Sequence, residues 1–104
     1  MSFYQLSIDA ESDLDDILQY TFDRFGVDQM IKYNAQLIQC FDEISKAKGL
    51  YKEIESNSTN IRFLHCQKHY VFAIKNKSEP VIIIIAIFHE KMDLMNRLKS
   101  RLQS

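Results

Sequence analysis

The residues Val81-Ile82-Ile83-Ile84-Ile85-Ala86-Ile87-Phe88 form an unbroken apolar run, closed by the charged segment His89-Glu90-Lys91-Met92-Asp93. A half-buried strand alternates apolar and polar side chains, and this one does not. Both of its faces must therefore leave water. Strict alternation places Val81, Ile83, Ile85 and Ile87 on one face and Ile82, Ile84, Ala86 and Phe88 on the other. The run is far shorter than the roughly 20 residues a membrane-spanning helix needs. In a chain of 104 residues little material remains to cover two faces of one strand, so the pattern predicts a surface that a partner covers, or that a short C-terminal helix covers in part.

The length predicts a single domain over residues 1–104, and 46% apolar residues suffice for a core. Two glycines and one proline argue against long linkers. Cys40 and Cys66 lie far apart and form no Cys-x-x-Cys pair. The expectation is two buried, unpaired thiols in a reducing cytoplasm. Met1-Ser2-Phe3-Tyr4-Gln5-Leu6 carries neither a basic nor a long apolar stretch, so no signal peptide is expected. The net charge of −1 conceals an asymmetry: residues 1–60 hold five Lys/Arg against eleven Asp/Glu, and residues 61–104 hold eight against three. The basic half predicts contact with something anionic. The whole-chain charge does not predict sequence-specific nucleic-acid binding.

Along the chain, Tyr4–Ile8 alternates as a short strand. Asp9 is placed to cap a helix whose apolar stripe is Leu14, Ile17, Leu18, Thr21 and Phe25, and Gly26 ends it. The run Asp13-Leu14-Asp15-Asp16 reads as the solvated start of this helix. A second helix presents Val27, Met30, Ile31, Asn34, Leu37, Ile38, Phe41 and Ile44 inward, with Lys46 and Lys48 in its last turn and Gly49 after it. Residues 50–60 read as a polar loop. Strands are predicted at Ile61–Cys66, Tyr70–Lys75 and Val81–Phe88, with Pro80 at the entry of the last, and the short links imply antiparallel pairing. Asp93 caps a short last helix bearing Leu94, Leu98 and Leu102. The predicted architecture is α+β: a helical hairpin packed on one face of a small antiparallel sheet, in the order strand-helix-helix-strand-strand-strand, with a short C-terminal helix.

This order resembles the ParE branch of the RelE/ParE toxin superfamily. The likeness runs through Tyr4-x-Leu6-Ser7, Ala10, Asp13-Leu14-x-x-Ile17, Tyr20, Phe25-Gly26, Tyr33, Leu37, Arg62 and His69-Tyr70-Val71-Phe72. It is strongest at Ile87-Phe88-His89-Glu90-Lys91-Met92-Asp93, similar to the family's Ile-Leu-His-x-Arg-Met-Asp signature. The resemblance implies a cytoplasmic toxin of a type II toxin–antitoxin system. Such a protein inhibits DNA gyrase by binding it, has no catalytic residues or cofactor, and forms a hetero-oligomer with a ParD-like antitoxin. Four positions depart from the family: Ala86 where a basic residue is common, Lys91 for the signature's Arg, and Ala73 and Ile74 in Phe72-Ala73-Ile74 where Phe-Tyr-Arg is common.

Target contact is expected at Arg62, His69, His89, Lys91, Arg97 and Arg101, the cations and strand-end histidines of the basic half. Antitoxin contact is expected at Tyr20, Phe22, Phe72, Ile84 and Phe88, where an apolar helix could dock. His65, His69 and His89 with Arg62 or Lys91 could supply the acid, base and cation of a RelE-type, ribosome-dependent mRNA endoribonuclease. Structural hydrogen bonds at strand ends are the plainer reading of these histidines. A non-toxic member that only binds antitoxin is the third alternative. His65-Cys66 and His69 have no second ligand pair at metal spacing, so no metal site is predicted.

Overall fold

A computed structural model describes residues 4–46, 52–56, 59–75 and 81–103. The elements are β1 (Tyr4–Leu6), α1 (Ile8–Phe25), α2 (Val27–Ser45), β2 (Lys52–Ser56), β3 (Thr59–Cys66), β4 (His69–Lys75), β5 (Ile82–His89) and α3 (Leu94–Gln103). The fold is α+β, as the sequence predicts. The strands form one sheet in the order β1-β5-β4-β3-β2. From β2 to β5 the pairing is antiparallel, but β1 runs parallel to β5, with Tyr4 opposite Ile82 and Leu6 opposite Ile84. The sheet is therefore mixed rather than wholly antiparallel. The parallel pair requires a long crossover, and the helical hairpin with the first three antiparallel strands supplies it.

Ser7, not Asp9, caps α1. Its extended backbone (φ −65°, ψ 164°) places Oγ to accept the Ala10 N–H at 3.1 Å, and Asp9 is already helical. The Ser7 N–H donates to the Ile84 carbonyl at 2.9 Å, so the chain leaves the sheet and enters the helix at one residue. Gly26 alone joins α1 to α2 with φ 91°, a backbone conformation that costs any Cβ-bearing residue, and its N–H closes α1 onto the Phe22 carbonyl. The sequence places the end of α2 near Gly49. Residues 47–51 lie outside the described residues, as do Lys77 and Pro80. Residues 52–56, expected to be loop, form β2, which pairs with β3 from Lys52–Phe63 to Ser56–Thr59. The polar composition of this stretch hid a strand that lies at the edge of the sheet, where polar side chains are common.

Two cores lie on opposite faces of the sheet. Under the hairpin, Ala10, Leu37, Phe41 and Ile44 pack on Leu64, Cys66, Val71, Ala73, Ile82, Ile84 and Ile87. On the other face, Leu98 and Leu94 of α3 pack with Ile61, Phe72, Ile85, Ala86 and Phe88. Strict alternation along β5 fails at one point. Phe72 pairs with Ala86 and Ala73 with Ile84, so Ile85 is an extra residue on β5, a β-bulge. The bulge moves Ile87 to the hairpin side and Phe88 to the α3 side. The chain thus buries both faces of β5 itself: Ile82, Ile84, Ile85, Ala86, Ile87 and Phe88 are all below a tenth exposed. Of the two expected covers for the second face, a partner or the terminal helix, α3 supplies one within the chain.

Cys40 on α2 and Cys66 on β3 form a disulfide, with Cα atoms 6.3 Å apart. This corrects the expectation of unpaired thiols. The two positions are 26 residues apart in sequence, and only the packing of α2 on β3 brings them together.

Candidate functional site

β1 covers β5 only as far as Ile84, so beyond that point the strand shows backbone groups at an open edge. Two charged side chains satisfy them. Asp13, on α1, accepts the Ile87 N–H at 3.0 Å through Oδ2. Arg101, on α3, donates Nη1 to the Ile85 carbonyl at 2.9 Å. The two side chains also pair directly, Nη1 to Oδ2 at 2.9 Å and Nη2 to Oδ1 at 3.2 Å. Asp9 approaches the Arg101 Nε at 3.8 Å, and the guanidinium lies 5.0 Å above the Phe88 ring. The hydrogen bond to Asp13 raises the Arg101 pKa above its ordinary value, against the opposing effect of burial. Arg101, expected to contact a target, is a clamp joining α1, β5 and α3. Asp13, expected to be solvated, is its partner.

A second polar group gathers at the end of the sheet where β3 turns into β4. Gln67, at φ 57°, and Lys68 make that turn. His69 and His89 face each other across β4 and β5 with ring centroids 5.2 Å apart. The Tyr33 hydroxyl, from α2, shares a hydrogen bond with His69 Nδ1 at 2.6 Å and accepts the Lys68 N–H at 3.3 Å. Burial, reinforced by His89 and opposed by Glu90, lowers the His69 pKa to about 4. Burial likewise raises the Tyr33 hydroxyl above its usual value. At neutral pH the pair is an uncharged phenol and an uncharged imidazole. His89 Nδ1 accepts the Lys91 N–H at 3.1 Å, which fixes the turn after β5. His65 stacks on Tyr70 with centroids 4.5 Å apart and bonds Glu90 Oε2 at 2.9 Å.

All three histidines therefore meet at one end of the sheet, and each is engaged in local structure. His69 spends Nδ1 on Tyr33, His89 Nδ1 accepts from Lys91, and His65 is paired with Glu90. Among the described residues, no group of three or more His, Cys, Asp or Glu side chains is placed to hold a metal ion.

The remaining candidates divide by burial. Arg62 donates Nη1 to the Ile44 carbonyl at 3.1 Å, at the end of α2, where helix carbonyls lack partners and the dipole favours a cation. Lys91 and Arg97 are exposed on the turn and on α3, and Arg97 joins Asp93, Asn96, Ser100 and Arg101 in a shallow depression. Tyr20, 58% exposed, lies beneath Arg24, and Phe22 is 46% exposed. Phe72, Ile84 and Phe88 are core residues at 2%, 0% and 4% exposure. Their apolarity suggested a docking face; within the chain, Ile84 packs under the hairpin and Phe72 and Phe88 pack under α3.

Among the described residues, one surface that stays apolar is a side of the hairpin. Phe22 and Leu18 of α1 meet Met30 of α2 in a depression rimmed by Asp15 and Gln19. Val27, Ile31 and Ile38 are 44–59% exposed at steps of four and seven along α2, one stripe of that helix. The sequence assigned these three residues to the inner face because they share its periodicity. The inner stripe is narrower, centred on Leu37, Phe41 and Ile44.

A family model described as ParE toxin of type II toxin-antitoxin system, parDE, matches residues 4–94. Toxin ParE of Escherichia coli is 37% identical over 103 residues, 99% of each chain. Toxin ParE1 of Caulobacter vibrioides is 30% identical over 93 residues, 89% of this chain and 94% of its own. Toxin ParE1 of Mycobacterium tuberculosis strain H37Rv is 28% identical over 97 residues, 93% of this chain and 98% of its own.

Proposed function

The chain belongs to the ParE toxin family of type II toxin–antitoxin systems, and from that premise we propose that it inhibits DNA gyrase by binding, without bond chemistry of its own. The observation that carries this reading is the full-length likeness to Toxin ParE of Escherichia coli. The engagement of all three histidines in local hydrogen bonds supports a binding protein over a ribonuclease. Target contact falls to the exposed cations Lys91, Arg97 and Lys99, because Arg62 and Arg101 serve the fold. In this reading the toxin stabilises the covalent complex of gyrase with cleaved DNA, in the cytoplasm.

A ParD-like antitoxin neutralises it. The stripe of Val27, Ile31 and Ile38 beside Phe22 and Leu18 has the form that accepts an amphipathic helix, which would anchor side chains at three- and four-residue spacing. No described helix is long and apolar enough to cross a membrane.

The test is purified chain with gyrase and supercoiled DNA, followed by detergent and protease. Linearised DNA that depends on the chain is the expected result. Intact DNA together with mRNA cut on translating ribosomes would overturn the reading in favour of a ribonuclease. Inertness in both assays would leave an antitoxin-binding protein alone.

A further inference from the structure

We infer that Cys40 and Cys66 form a thiol–disulfide latch that sets the stability of the free chain. The bridge ties α2 to β3, close to two other ties of the same helix to the sheet. One is the Tyr33–His69 hydrogen bond and the other is Arg62 on the Ile44 carbonyl. The covalent loop from Cys40 to Cys66 contains all of β2. That strand is held by pairing on one side only, to β3. Opening the bridge returns the freedom of this loop to the unfolded chain, and the folded state loses relative stability.

The two sulfurs differ in access. Cys66 is 1% exposed, whereas Cys40 is only half-buried. A dithiol reductant attacks at Cys40 Sγ as a thiolate, forming a mixed disulfide and expelling Cys66 as a thiolate. The second thiolate of the reductant then attacks its own sulfur in the mixed disulfide and releases Cys40. Two electrons pass to the protein, the two reductant protons end on Cys40 and Cys66, and the reductant leaves as its disulfide. Glutathione disulfide closes the latch by the reverse exchange and departs as two molecules of glutathione. The reducing interior expected for this family opens the latch and leaves a free toxin that melts early. An oxidising episode closes it and prolongs the toxin's lifetime.

The experiment uses the full chain equilibrated in glutathione buffers of varied ratio. Thiols are counted by alkylation and mass, and melting is followed by circular dichroism. The expected result is loss of both alkylatable thiols on oxidation and a Tm higher by about 10–20 °C than in the reduced chain. Cys40→Ser melts at the reduced temperature in every buffer. If that variant fails to fold, the comparison of oxidised with reduced wild type stands by itself. Equal melting of the two wild-type forms overturns the latch. So does persistence of both thiols in excess glutathione disulfide, or stable addition of glutathione in place of the internal bridge. None of these readouts involves gyrase or antitoxin, so the latch and the target stand or fall separately.

Discussion

At the scale of single residues, Asp13 and Arg101 do for the open half of β5 what a neighbouring strand does elsewhere: they accept its N–H and donate to its carbonyl. Charged groups suit the task because each forms several strong hydrogen bonds at once and each neutralises the other. His69 illustrates the opposite strategy, a titratable group kept neutral by burial. Its pKa falls from the ordinary 6.5 to about 4 in the folded chain. Between those values the unfolded chain binds the proton and the folded chain does not. Stability is therefore fully present above pH 6.5 and is lost as pH falls towards 4. His69 keeps substantial contact with solvent, so the loss is on the order of 1–2 kcal/mol after screening. Urea unfolding at a series of pH values checks this. In His69→Asn, which keeps an acceptor for the Tyr33 hydroxyl and cannot titrate, that part of the pH dependence is absent.

At the scale of elements, α3 is a lid on the second core rather than a free basic tail. It buries Leu98 against Phe88 and Ile85 and delivers Arg101 to the clamp. A chain ending at Asp93 loses both, so the expected outcome is a stability loss of at least about 3 kcal/mol and exposure of the sheet face. Chemical denaturation and dye binding measure it. Arg101→Ala in the full chain isolates the clamp and costs about 2–3 kcal/mol, because it leaves the half-buried Asp13 without its cation. Lost toxicity of the truncated form thus reports folding before it reports target contact.

Much of this was legible in the sequence. The helical hairpin, Gly26 as its hinge, three antiparallel strands and the final helix follow from periodicity and turn residues. β2 was not legible, because an edge strand of Lys, Glu and Ser around the single apolar Ile54 gives too weak an apolar signal. The bulge at Ile85 was not, because a uniform isoleucine run carries no mark of register. The Cys40–Cys66 bridge and the Asp13–Arg101 pair, 88 residues apart, are properties of the tertiary fold. The histidines could be named as candidates, but their shared location depends on which strands pair. Tyr33 entered only as one residue of the family likeness, with nothing local to show that it would reach His69.

At the scale of the whole molecule, the charge asymmetry is partly spent inside. Asp9 and Asp13 of the acidic half meet Arg101 of the basic half, while Lys91, Arg97 and Lys99 remain outside. The apolar stripe belongs to the hairpin, whereas those cations belong to the turn after β5 and to α3. A charge placed in the stripe should separate folding from partner recognition. Ile31→Glu, at a position 59% exposed, is expected to leave the melting temperature within a few degrees of wild type. It should weaken antitoxin binding by tenfold or more, read by calorimetry, because a buried unpaired carboxylate opposes the apolar contact. Undiminished binding by the folded variant would move the antitoxin elsewhere on the surface.

The parallel pairing of β1 with β5 has a further consequence for synthesis. The first strand and both long helices leave the ribosome before the strand they must pack on has been made. Residues 4–45 then wait, greasy side outward, until residues 82–89 emerge. The domain can close only once residues 82–89 have left the ribosome, and the nascent hairpin is a client for any protein that shields it in the interval.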